Sequence, residues 1–205
     1  MALRLPRHVG FIPDGNRRWA LARGLPKQAG YSAGISPGVE LCEQCIALGI
    51  PEVSIYGFTQ DNVRRPSVQR TAFSAACVQF AQAAGALGCS VRTVGDHSSA
   101  VFPRELADYV SPAVAEGALK VNLLVNYGWE WDVSGLKDGG LRSADVPRLD
   151  LIVRWGGGRR LSGFLPIQSV YADIFVVDDY WPDFVPAHFD AALEWYSRQD
   201  RTLGG

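Results

Sequence analysis

The sequence predicts an α/β protein, an open and mostly parallel sheet flanked by helices, and three observations lead there. Short apolar runs alternate with segments of helical period, the pattern of strands joined by helical crossovers. Residues 8–20, HVGFIPDGNRRWA, compress one such unit into a strand, a sharp turn and a helix start. The 205 residues suit a single domain spanning 1–205, and no internal repeat or linker divides them.

Taken in order, the apolar runs place strands at 8–12, 52–58, 90–94, 119–125, 149–154 and 173–177. A helix opens at Arg17. Further helices are expected over Val39–Leu48, Ser67–Leu87, Pro103–Glu116 and Ala187–Gln199, on both faces of the sheet. Residues 24–34, GLPKQAGYSAG, read as irregular backbone and 134–148 as an extended loop. The helix at 67–87 is rich in alanine with Phe73, Val78 and Phe80 as bulky interruptions, and the sequence does not say which of the three faces a cavity.

Composition removes several classes. With 20 basic and 21 acidic residues there is no footprint for nucleic acid. No stretch approaches the roughly 18 to 20 apolar residues of a membrane span, and the N-terminus lacks a secretory pattern, so a cytoplasmic location is expected. Cys42 and Cys45 form a C-x-x-C without a second pair or a histidine cluster. Inside the helical pattern LCEQCIALGI they are small core residues rather than a zinc or redox site.

Chemistry concentrates at the ends of the apolar runs. After the first strand, free N–H groups at a helix start lie beside Arg17 and Arg18, which makes an anion site. An aspartate there, Asp14, is costly unless a divalent metal bridges it to the anion, so diphosphate with Mg²⁺ is the economical occupant. A plain N-cap with solvated arginines would use the same residues. The second strand runs into YGFTQDNVRRP, placing Thr59, Asp61, Asn62 and Arg65 at a strand's carboxyl end, where sites gather. A late stretch, DLIVRWGGGRRLSGF, sets Arg154, Arg159, Arg160 and Ser162 around three glycines. Forked guanidinium bonds from such a cluster would clamp a second diphosphate.

DGNRRWA resembles the motif of the cis-prenyltransferase family, the undecaprenyl diphosphate synthase type, and ordered matches continue through YGFTQDNVRRP, VNLLVNYGWEWDV, DLIVRWGGGRRLSGF and the terminal RTLGG. The resemblance covers nearly the whole chain. It implies a Mg²⁺-dependent homodimeric enzyme acting on prenyl diphosphates. Gly15, Asn16, Arg17, Arg18, Trp19, Lys27, Phe58, Thr59 and Arg65 would bind substrate, with Asp14, Asn62 and Tyr31 catalytic. Arg154, Arg160 and Ser162 would hold the nucleophilic partner's diphosphate, Asp14 and Asp173 would serve the metal, and a tail with Arg201 and Gly204 would complete a site in the partner subunit. The alanine-rich helix would line a product tunnel. Lys27, Tyr31, Val63, Gly158, Arg159 and Asp173 depart from the family's usual residues. Its irregular, lavandulyl-type branch likewise carries Tyr at the place of Tyr31 and lacks the usual Glu at the place of Gly158, and the shortened region after Asp132 argues against a long tunnel. An irregular branched C10–C15 product is therefore expected, ahead of a regular short-chain enzyme using isopentenyl diphosphate or a non-catalytic partner subunit. The proton acceptor stays open among Tyr31, Asn62 and the released diphosphate.

Overall fold

The computed structural model describes residues 3–110 and 119–199. Six strands, β1 (His8–Ile12), β2 (Glu52–Tyr56), β3 (Ser90–Val94), β4 (Lys120–Leu124), β5 (Leu151–Arg154) and β6 (Asp173–Val176), form one sheet in the order β3-β4-β2-β1-β5-β6. All five pairings are parallel. β1 lies between β2 and β5, so the chain reverses its direction of winding across β1. The carboxyl ends of β1 and β5 flank the resulting crevice.

The helices are α1 (Asn16–Ala22), α2 (Ala29–Ala33), α3 (Ile35–Ala47), α4 (Ser67–Ala86), α5 (Trp129–Ser134) and α6 (Pro186–Ser197). Period-2 alternation sends Val9, Phe11, Val53, Ile55, Val91, Val121, Leu123 and Val153 to one face, where side chains of α3, α4 and α6 close the main core. Cys42, Cys45, Cys77 and Cys89 are all buried and free, as small core residues are. The other face differs from the expectation of helices on both sides. It carries a smaller cluster around Ile12, Leu124, Ile152 and Phe164, and irregular chain covers it.

That cover is the stretch read as an extended loop, and it is more structured than expected. A 3₁₀ turn at Gly135–Asp138 follows α5, and buried Asp132 then pins what comes next: Tyr127 donates to it at 2.7 Å, Ser143 through Oγ at 2.7 Å and through its backbone N–H at 2.9 Å. Further on, His8 hydrogen-bonds Pro147 O through Nδ1 (3.1 Å) and Ser54 Oγ through Nε2 (2.9 Å). Burial lowers the imidazole pKa against the opposing pull of Glu52. These polar bonds substitute for a second helix layer. Two smaller corrections concern 24–34, which contains α2, and the helix expected over Pro103–Glu116. Its first part is a 3₁₀ turn, Arg104–Tyr109, and residues 111–118 lie outside the described residues.

Candidate active site

A cleft of about 750 Å³ opens over the carboxyl ends of β1, β2 and β5. Its first wall is the turn after β1. Gly15 adopts φ 102°, and a Cβ there would lie 2.7 Å from the Tyr180 ring, so both conformation and space require glycine. The Gly15 N–H donates to Asp14 Oδ1 at 2.6 Å, while Trp181 N–H donates to Asp14 O at 3.0 Å. α1 then starts at Asn16, and the first-turn N–H groups of Asn16, Arg17 and Arg18 have no helical acceptor. Arg18 reaches across the crevice. Its Nη2 donates to Gly156 O at 2.9 Å and lies 3.5 Å from Asp14 Oδ1, and its guanidinium rests over the Tyr180 ring at 5.1 Å.

The facing wall grows from β5. Arg154, its last residue, has a side chain only 4% exposed; Nη2 donates to Asp14 Oδ2 at 2.8 Å, and Nη1 donates to Ser162 Oγ at 3.0 Å and to Arg160 O. Gly156 and Gly157, at φ 80° and 71°, supply the turn that brings 158–162 back over the strand end. Burial alone would raise the Asp14 pKa. The Arg154 hydrogen bond and charge, the Gly15 N–H and Arg18 outweigh it and hold the carboxyl below its ordinary value.

A third wall comes from β2 and α2. Arg65 Nη1 donates to the Tyr31 hydroxyl at 2.9 Å, Tyr31 stacks on Phe73 with centroids 4.5 Å apart, and the Arg65 guanidinium lies 5.5 Å from the Phe73 ring centre. Burial depresses the Arg65 pKa, countered by Tyr31. The Asn62 amide donates to Thr59 Oγ1.

Beneath this wall the cleft continues into an apolar annex of about 70 Å³, which shares Tyr31, Tyr56 and Phe73 with it. Phe73 and Phe80 of α4 face the annex, and Val78 faces a groove on the other side of the helix. Phe80 is seated against Gly38, where a Cβ would come within 2.9 Å of its ring, and Trp181 adds another side.

Asp14, Gly15, Asn16, Arg17, Arg18, Lys27, Tyr31, Thr59, Asn62, Arg65, Arg154, Arg160 and Ser162 thus meet around one cleft, as their sequence stretches suggested. Four expected residues do not. Arg159 is turned outward, 3.7 Å from Asp178 Oδ1. Trp19 turns away, its Nε1 donating to Asp183 Oδ1 at 2.8 Å, because the helical turn places it opposite Arg18. Phe58 is a buried core residue packed edge-on to Phe73. Asp173 is the first residue of β6, paired with Leu151, at the opposite end of the strands from the cleft. The cleft of a single chain therefore does not contain it. Gly204 and Arg201 lie outside the described residues. Asp61, expected at the end of the second strand, also lines the cleft. Tyr56 had not been singled out: its hydroxyl donates to Ser162 O at 2.8 Å and links the β2 and β5 walls, and its pKa is raised by burial and by Asp61. Its signal was position alone, at a strand's carboxyl end.

Among the described residues no three His, Cys, Asp or Glu side chains gather into a metal cage. Asp14 nevertheless fits a magnesium ion held jointly with a substrate, since Mg²⁺ characteristically takes one or two carboxylates and completes its shell with phosphate oxygens and water. Its side chain is 34% exposed and faces the cleft.

An all-parallel sheet with a carboxylate and several arginines over its strand ends makes an anion-binding crevice at the point where the winding reverses. The chain belongs to the undecaprenyl diphosphate synthase family of prenyltransferases, which it matches over residues 12–204, and it is itself a prenyltransferase. It is 32% identical to the (2E,6E)-farnesyl-diphosphate-specific ditrans,polycis-undecaprenyl-diphosphate synthase of Pseudomonas aeruginosa, covering 98% of this chain and 91% of that protein. It is 31% identical to the isoprenyl transferase of Aquifex aeolicus, covering 100% and 98%. Among solved structures it is similar to lavandulyl diphosphate synthase from Lavandula x intermedia in complex with dimethylallyl diphosphate, with TM-score 0.83, 25% identity and 98% of each chain covered. No helix among the described residues is long and apolar enough to cross a membrane.

Proposed function

We propose that the enzyme condenses two short prenyl diphosphates, dimethylallyl diphosphate with dimethylallyl or geranyl diphosphate, into an irregular branched C10–C15 product of lavandulyl type. The observation that carries this reading is the union of two cationic walls over one small apolar annex. About 70 Å³ offers roughly five to seven water-sized positions, close to the five carbons of one isoprenyl unit. Similarity to a lavandulyl diphosphate synthase structure supports the irregular outcome.

In this reading the donor's diphosphate lies on the turn after β1, held by the side chains of Arg17, Arg18 and Lys27 and by the free first-turn N–H groups of Asn16 and Arg17, with its tail under Tyr31 and Phe73 in the annex. Asp14 would hold a Mg²⁺ ion together with that diphosphate, and the metal would supply positive charge for the departing group. The protein's own donors act on the same group, and each contributes about a hundredfold in rate or more. Arg154, Arg160 and Ser162 hold the second diphosphate so that its internal alkene carbon meets the allylic cation. The tertiary cation so formed loses one proton to give the branched prenyl diphosphate, and the donor's diphosphate, freed when the allylic C–O bond broke, leaves the site. Thr59 and Asn62 line the wall between the two sites, and Tyr31 keeps Arg65 turned into the cleft.

The protein is further proposed to work as a homodimer. Ile167, Val170, Tyr171 and Ile174 are exposed large apolar side chains on and before β6, an edge strand of the sheet. Asp173 and the tail with Arg201 and Gly204 would act across that interface. A regular head-to-tail reaction with isopentenyl diphosphate is the second reading, favoured by curated relatives such as the Pseudomonas aeruginosa enzyme. A non-catalytic subunit is disfavoured, since Asp14 is present and held ionised between two arginines.

Product analysis by mass spectrometry and NMR decides among these. Dimethylallyl diphosphate alone with Mg²⁺ is expected to give a branched C10 diphosphate. A linear Z-configured product formed only when isopentenyl diphosphate is added would establish the regular reaction instead, and no product from any combination would support the non-catalytic subunit.

A further inference from the structure

Gly156 and Gly157 are glycines because their backbone demands it, but Gly158 is not: its φ lies outside the left-handed region, so the backbone there would accept any L residue. What excludes a side chain is Arg154. A Cβ at residue 158 would stand 2.7 Å from Arg154 Nε, 2.8 Å from Nη2 and 2.9 Å from Cζ, so the guanidinium lies over the bare Cα. From that position Nη2 reaches Asp14 Oδ2 at 2.8 Å, while Nη1 stays with Ser162 Oγ at 3.0 Å and Arg160 O. Nε is buried and has no hydrogen-bond partner. One almost fully buried cation therefore joins the carboxylate of the first wall to the hydroxyl of the second, with a donor still unused.

We propose that Gly158 couples the two diphosphate sites: by ceding the space over residue 158 to Arg154, it lets the first site's carboxylate hold that arginine until a metal-bound diphosphate takes the carboxylate. Arg154 then turns Nη2 and the idle Nε to the second diphosphate. The inference rests on the reading of the cleft as two diphosphate sites. While Asp14 holds Arg154, the second site lacks part of its principal cation, and filling the first site restores it. Coupling of this kind is reciprocal, so each ligand strengthens the other by the same factor. Any residue with a Cβ at 158 would push Arg154 off Asp14, leaving both sites assembled beforehand and independent of each other.

Calorimetric titration of the full chain with dimethylallyl S-thiolodiphosphate, which resists ionisation, tests this in saturating Mg²⁺. The wild type is expected to bind two molecules per chain, the second roughly five- to tenfold more tightly than independent sites would allow. Gly158→Ala is expected to bind two without that enhancement. Asp14→Asn keeps the glycine and releases Arg154 from the other side, so a poorly folded alanine variant does not decide the matter. It should bind one molecule per chain, independently of Mg²⁺ and as tightly as the enhanced second step of the wild type. Two independent sites in the wild type, undiminished coupling in Gly158→Ala, or Mg²⁺-dependent second-site binding in Asp14→Asn would overturn the proposal. One molecule per wild-type chain would overturn the two-site reading of the cleft as well.

Discussion

The cleft and the annex beneath it are made in opposite ways. The two facing cationic walls of the cleft are each a contiguous stretch at the end of one strand, Asp14–Arg18 after β1 and Arg154–Ser162 from β5, and their side chains work by charge. The annex draws Phe73 and Phe80 from α4, Gly38 from α3 and Trp181 from the turn after β6, and it works by shape. Chemistry is thus encoded locally and capacity is encoded by packing between distant segments. A substitution in the cleft should change rate, and one in the annex should change which substrate fits.

The largest effect is expected from Asp14→Ala. Steady-state turnover should fall at least about a thousandfold, beyond the loss of a single hydrogen-bond donor, with the circular dichroism spectrum retained. Arg154→Ala should lower kcat/KM about a hundredfold or more, and Arg154→Lys should not restore it, because an ammonium cannot fork between Asp14 and Ser162. Both results place rate in the cleft. Phe80→Leu should instead leave turnover of dimethylallyl diphosphate nearly intact and raise the share of products from a geranyl donor, at a stability cost of about 1 kcal/mol seen in thermal unfolding. An unchanged product spectrum would break the contrast.

The pH dependence sharpens the electrostatic half. A carboxyl with a depressed pKa contributes stability above its unfolded value and loses that contribution as pH falls through its folded one. For Asp14 the stability difference between wild type and Asp14→Asn, read from urea unfolding, should therefore be level from neutrality to about pH 4 and shrink only below that. The smallest change is expected from Trp19→Phe. Its loss of the Asp183 bond should cost about 1 kcal/mol of stability and alter turnover by less than about threefold, because the indole faces away from the cleft.

This division explains what the sequence disclosed. All six strands were legible to within a few residues, because a buried parallel strand is an apolar run. Asp14 and Arg154 were legible because one lies two residues past such a run and the other ends one, whereas Arg65, nine residues beyond β2, was legible only through the family resemblance of YGFTQDNVRRP. Trp19 was misassigned because its neighbours in sequence face the cleft and a helix turns the next position away. Tyr56 was passed over because an aromatic residue at a strand end reads equally well as core. The choice among Phe73, Val78 and Phe80 depended on how α4 is rotated against α3, and with alanine on most sides of the helix its pattern of hydrophobicity fixes no face. The polar cover of the sheet's second face was hidden for a similar reason: His8 and Ser54 acquire each other, and His8 the carbonyl of Pro147, only across distant segments of the chain.

The most direct test of the account is the crystal structure of the enzyme with Mg²⁺ and dimethylallyl S-thiolodiphosphate. Two diphosphates are expected in one cleft, one on the Asp14–Arg18 turn with its five-carbon tail between Phe73 and Phe80, the other against Arg160 and Ser162. A single diphosphate with both cationic walls wrapped around it, or a tail lying outside the annex, would contradict it.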